Sequence, residues 1–254
     1  MSSGLSFLGK IQLLMGRNRL YDRLPRFSRF QILVHLASLV PLAVMIFDYF
    51  QDNLTVNPIQ ELTFRTGKTA LVLLILSLAC TPINTMFKFR QALKVRRALG
   101  LYTFFYASLH FLIFVGLDYV FDWSLIREAI FEKRFALVGF AAYLILLPMA
   151  VTSTKAWMRR LGKNWKRLHK FVYLAGLLVI VHYIWLVKSD IRDPLAYGLA
   201  VALLLVARVP AVRKFLSNLR TPRLASSNLF GKLNREGKAP QKRKPDPSLT
   251  RSGG

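Results

Sequence analysis

Four stretches of this chain, residues 69–87, 98–117, 135–154 and 171–187, contain no charged side chain. Each is close to the ~20 apolar residues a helix needs to cross the hydrocarbon of a bilayer. Inside hydrocarbon the backbone must satisfy its own hydrogen bonds, so such runs read as α-helices. Two further segments complete the set, and the predicted spans are 30–48, 69–87, 101–121, 135–154, 170–187 and 194–209. The sixth is short and needs Arg208 to reach back toward the headgroups. Pro41, Pro82 and Pro148 fall inside spans, where neighbouring helices re-satisfy the freed carbonyls. The expected fold is an all-α membrane protein, a six-transmembrane-helix bundle.

Charge then orients the bundle. The chain carries 37 Lys+Arg against 12 Asp+Glu, a net charge of +25, although 54% of it is apolar. Such an excess suits either a nucleic-acid binder or a membrane protein whose basic residues lie outside the bilayer. Distribution decides for the second. Lys10, Arg17, Arg19, Arg23, Arg26 and Arg29 precede the first span, Lys88 to Arg97 follow the second, and Lys155 to Lys170 follow the fourth. In the alternate loops Asp118, Asp122, Glu128 and Glu132 nearly balance Arg127, Lys133 and Arg134. The positive-inside rule puts both termini in the cytoplasm. Assigned to sides, the inner face holds 30 basic and 3 acidic residues and the outer face 7 and 9. The division expected is a basic cytoplasmic segment at 1–29, not a signal peptide, then the membrane domain at 30–215. A basic, disordered cytoplasmic tail at 216–254 rests near anionic lipid. Membrane lipids are expected partners and nucleic acid is not.

Only four histidines occur, His35, His110, His169 and His182, each in a span or at its edge. An imidazole in hydrocarbon is costly unless paired or ligating, so all four are candidates. His110 follows Arg97 by thirteen residues and His182 follows Lys170 by twelve, on two spans that run in the same direction. They therefore sit at nearly one depth, as axial ligation of a haem requires; two histidine ligands favour electron transfer over oxygen binding. His169 projects from roughly the same helical face as His182, but the positions where a partner would stand hold Arg96 and Arg97. A second bis-histidine haem is not expected. His35 is assigned either to packing or to a cofactor's edge. Cys80, the single cysteine, reads as a small buried apolar residue and excludes disulfides and iron–sulfur clusters.

The sequence also resembles a known family. TGKTAL at 66–71, LH at 109–110, TSTKAWMRRLGKNWKRLHKFVYL at 152–174 and HYIWLVK at 182–188 are similar to the ferric-reductase-like transmembrane family. Within it they resemble the MsrQ (YedZ) family, the haem-binding membrane subunits of bacterial methionine-sulfoxide reductase systems. The likeness extends over roughly residues 30–215. It implies haem b in the bacterial inner membrane and a flavin mononucleotide (FMN). It also implies electron delivery from the quinone pool or a cytoplasmic flavin reductase to a periplasmic molybdopterin-containing reductase that repairs methionine sulfoxide in envelope proteins. The haem role falls on His110 and His182, with His169 as a further cofactor contact; Arg159 and Arg160 are candidates for a flavin phosphate.

Other readings are weaker. Gly67-Lys68-Thr69 ends like a phosphate loop, but the earlier glycine that loop requires is Leu62. The residues after the sixth span contain no G-x-G-x-x-G, so no nicotinamide-binding module is expected. The outer loops are too short to hold a protein methionine sulfoxide, and no catalytic site for it is expected in this chain. Two alternatives remain open, a transmembrane ferric or metal reductase and a non-redox transporter or scaffold. The orientation is testable by fusion at the C-terminus: green fluorescent protein is expected to fluoresce there and alkaline phosphatase to be inactive, and the reverse pattern would contradict it.

Overall fold

The computed structural model describes residues 28–187 and 190–212. The segment predicted at 1–29 lies almost wholly outside the described residues, and the tail predicted at 216–254 entirely so. The chain divides into two compact units, 1–209 and 210–254. In the second, residues 210–212 have helical backbone.

The first unit is helical. The helices are α1 (Arg29–Phe50), α2 (Pro58–Phe87), α3 (Arg90–Ile113), α4 (Trp123–Glu132), α5 (Arg134–Val151), α6 (Lys155–Leu161), α7 (Lys163–Leu168), α8 (Val172–Leu186) and α9 (Arg192–Val206). A π-helical turn, Phe114–Asp118, extends α3, and a 3-10 turn, His169–Phe171, links α7 to α8. Five helical stretches are long and apolar enough to cross a bilayer: α1, α2, α3 with its π turn, α5, and Lys163–Leu186. This is a multi-pass membrane protein. The segment predicted as a sixth span forms α9, whose 15 residues extend ~22 Å at 1.5 Å per residue. That falls short of a ~30 Å hydrocarbon core.

Local chemistry sets the boundaries. Ser28 caps α1 in a reciprocal capping box with Gln31. Asn57 accepts from the Gln60 N–H, and Pro58 opens α2, so this helix starts eleven residues before the predicted 69. Its first turns carry charges that are paired: Arg65 with Asp48 and Glu61, Lys68 with Asp193 at 2.9 Å. The connection from α2 to α3 is only Lys88 and Phe89, with Lys88 at φ 53°. Arg90, Lys94, Arg96 and Arg97 thus ride on α3, where a loop was expected. A helix was not expected at α4. Asp122 caps it by accepting from the Ser124 and Leu125 N–H groups. The Ser124 hydroxyl and those N–H groups hold the Asp122 carboxyl below its ordinary range. Ile126, Ala129 and Ile130 bury one side of α4 against Val115.

α2 is the helix on which the others pack. Ala70, Leu73 and Cys80 face Met45 of α1 and Val95 and Leu99 of α3. Leu74 and Leu78 meet Met149 and Val172, while Leu71 meets Ile180 and Val201. Leu33, Leu36, Val40 and Phe47 of α1 are exposed, as suits a surface whose solvent is lipid. The Arg208 guanidinium donates to the Tyr173 hydroxyl at 2.6 Å and to Leu78 O at 2.5 Å.

Tyr106 is fully buried. Its hydroxyl donates to Ser38 O at 2.8 Å and accepts from the Leu42 N–H at 3.1 Å. Those are the two groups an unbroken α-helix pairs with each other, and Pro41 lies between them. The hydroxyl thus fastens α3 to α1 at a proline-weakened turn. Tyr106→Phe is expected to cost about 1 kcal/mol, because α1 can partly re-close that bond. Thermal unfolding in detergent measures this, and an unchanged midpoint would contradict it.

Candidate functional site

His110 lies in the last turn of α3 and His182 near the end of α8. Their ring centroids are 6.2 Å apart, with the ring planes at 85°. Both line a cavity of about 940 Å³ whose walls come mainly from α2, α3, α5 and α8. The depth argument from sequence thus brings these two side chains together.

Each ring is fixed by one backbone bond. His110 Nδ1 donates to Thr63 O at 2.9 Å, and His182 Nδ1 donates to Phe135 O at 2.7 Å. A carbonyl only accepts, so Nδ1 carries the proton, and the lone pair of the neutral ring is on Nε2. Among the described residues the only hydrogen bond of each ring is the one at Nδ1. This is the state of a histidine prepared as a metal ligand, with orientation and tautomer set by its other nitrogen.

The donor set narrows the ligand. Among the described residues no three His, Cys, Asp or Glu side chains gather to hold a metal ion. Protein-held transition metals usually take three or four such ligands, so a lone imidazole pair suits an ion whose equatorial positions a macrocycle fills. The spacing agrees: two imidazoles sharing one metal ion, with bonds of about 2 Å, have centroids ~6 Å apart. The walls are largely apolar, with Leu71, Leu74, Phe111, Phe140 and Leu146 among them, while Gln60, Lys68, Asp118 and Lys133 line the end where α2 begins. The residues present fit a bis-histidine haem.

The other predicted residues stand apart from this cavity. His35 Nδ1 meets the Tyr102 hydroxyl at 3.0 Å, joining α1 to α3. His169 lies in the 3-10 turn before α8 and does not share the face of His182 as expected, since thirteen residues at 3.6 per turn set the two about 220° apart. Its ring stacks on Trp165 with centroids 4.0 Å apart, and Nδ1 donates to Trp165 O. Arg159 and Arg160 occupy the last turn of α6, with Arg160 over the Trp157 ring. Thr63 and Phe135 were not foreseen. They act through main-chain oxygens, which no side-chain pattern announces.

Comparison with known proteins agrees with this arrangement. Residues 65–180 match the family model described as ferric reductase like transmembrane component. The chain is 45% identical over 183 residues to the protein-methionine-sulfoxide reductase heme-binding subunit MsrQ of Xanthomonas axonopodis pv. citri (strain 306), covering 70% of this chain and 84% of that one. It is 42% identical over 195 residues to the protein of the same name from Rhodospirillum rubrum, covering 76% and 91%. No solved structure matches.

Proposed function

The chain belongs to the MsrQ family, and from that premise we propose that it is the haem b-containing electron-transfer subunit of a protein-methionine-sulfoxide reductase system. The observation that carries this reading is the pair of tautomer-locked imidazoles facing one apolar cavity.

In this proposal His110 and His182 are the residues that would hold the iron, through Nε2. Haem b, when bound, supplies a one-electron couple. The rest is done by the chain. The Nδ1–H donations to Thr63 O and Phe135 O keep both rings from rotating and raise the basicity of each Nε2. With two protein imidazoles holding its iron, haem b would supply electron transfer rather than oxygen chemistry. Leu74, Phe111, Phe140 and Leu146 exclude water from the space between the rings. The rings sit toward the end where α2 begins, far from the basic Lys88–Arg97 segment.

The remaining parts of the proposal follow from orientation. Six spans, the sixth at 194–209, would put both termini in the cytoplasm of a bacterial inner membrane. Electrons enter from the quinone pool or a cytoplasmic flavin reductase. They leave at the outer end to a periplasmic molybdopterin-containing reductase, which performs the chemistry at sulfur. An FMN phosphate has cationic partners on the inner face in Arg159 and Arg160, with His169 nearby in the chain.

Purified protein is expected to show a low-spin b-type absorption spectrum that His110→Ala and His182→Ala each abolish and His169→Ala leaves intact. Retention of that spectrum in both of the first two variants would overturn the assignment. Its loss in His169→Ala would contradict the single-site reading.

A further inference from the structure

The same hydrogen bond is made twice at one sequence spacing. In His110 to Thr63 and in His182 to Phe135, donor and acceptor are separated by 47 residues. A glycine stands four positions after each acceptor, Gly67 on α2 and Gly139 on α5. The cavity wall keeps this register: Ala70 and Ala142, Leu74 and Leu146, and Phe111 and Tyr183 line it from equivalent positions.

Helix geometry gives the glycines a purpose. The carbonyl of residue i in an α-helix already accepts from the N–H of residue i+4. Side chains lean toward the N-terminus, so the side chain at i+4 lies beside that carbonyl, where a second donor must approach. A Cβ on Gly139 would stand 2.6 Å from His182 Nδ1 and 2.8 Å from its Cε1, closer than real contacts allow. A Cβ on Gly67 would stand 3.1 Å from both corresponding atoms of His110. In each case the imidazole occupies the space a side chain would take.

We propose that α2–α3 and α5–α8 are two copies of one imidazole-holding device, in which Gly67 and Gly139 are positioning residues that let each ring reach its carbonyl and so set where Nε2 stands. The proposal rests on the reading of His110 and His182 as haem ligands and adds that the ligand geometry is made by a repeated glycine gap. A methyl group at either position pushes one ring off its carbonyl and moves its Nε2 away from the shared metal. Gly100 on α3 and Gly176 on α8 provide controls, since a Cβ there meets nothing closer than 3.7 Å. Alanine is the better helix former, so propensity alone favours all four substitutions.

The experiment compares Gly67→Ala, Gly139→Ala, Gly100→Ala and Gly176→Ala in the full chain, with folding checked by far-ultraviolet circular dichroism and size exclusion. Gly67→Ala and Gly139→Ala are expected to lose about 10–100-fold in haem affinity or to turn from six-coordinate low-spin to five-coordinate high-spin iron, Gly139→Ala the more severely. The two controls are expected to match the wild-type chain. Unchanged affinity and spin state in both test variants would overturn the proposal, as would equal losses in the controls. If Gly139→Ala does not fold, Gly67→Ala decides alone. A cofactor-free chain labelled with 15N-histidine separates this proposal from the reading beneath it. The hydrogen-bonded Nδ1–H signals of His110 and His182 are expected in the wild type and lost singly in the matching variant, even if the wild type proves to bind no haem. Persistence of both signals would overturn the glycine role.

Discussion

The site depends on two bonds from imidazole to main chain. His110 Nδ1 donating to Thr63 O and His182 Nδ1 donating to Phe135 O fix the tautomer, the rotation and the depth of both rings at once. Each bond also joins a histidine helix to a second helix, α3 to α2 and α8 to α5. In hydrocarbon, helices gain little from the hydrophobic effect and associate through packing and polar contacts. The same contacts that hold the bundle together therefore aim both ligands.

α2 links this arrangement to the rest of the fold. One side packs on α1 and α3, another on α5 and α8, and Leu71 reaches α9 through Val201. The start of α2 lines the cavity beside both rings, and Lys68 ties that end to Asp193 at the start of α9. Tyr106 adds a polar fastening between α3 and α1. Movement of α2 would therefore be felt at the cavity that both ligands line.

Much of this was legible in the sequence because the bilayer forbids charge and because helical rise converts residue number into depth. Counting from Arg97 and Lys170 put His110 and His182 at nearly one depth, since their spans run in the same direction; that the rings are neighbours is seen only in the structure. The expectation of a shared face for His169 and His182 fails, because thirteen residues at 3.6 per turn leave the two positions about 220° apart around a helix, and His169 lies in a 3-10 turn besides. α4 was foreseeable in principle: Asp122 is a good cap, and Ile126, Ala129 and Ile130 follow at helical spacing. The early start of α2 was hidden by Glu61, Arg65 and Lys68, charges that interrupt the apolar run and that pair with one another, with Asp48 and with Asp193. The carbonyl acceptors had no signature in residue type. The glycines that expose them did, but their meaning needed the rings in place.

One measurement tests the central claim most directly: the number of haem groups per polypeptide, by pyridine haemochrome quantitation on the purified full-length chain. One b-type haem per chain is the result this account predicts. Two would require a second ligand set beyond the His110–His182 pair, and none would remove the role assigned to the paired histidines.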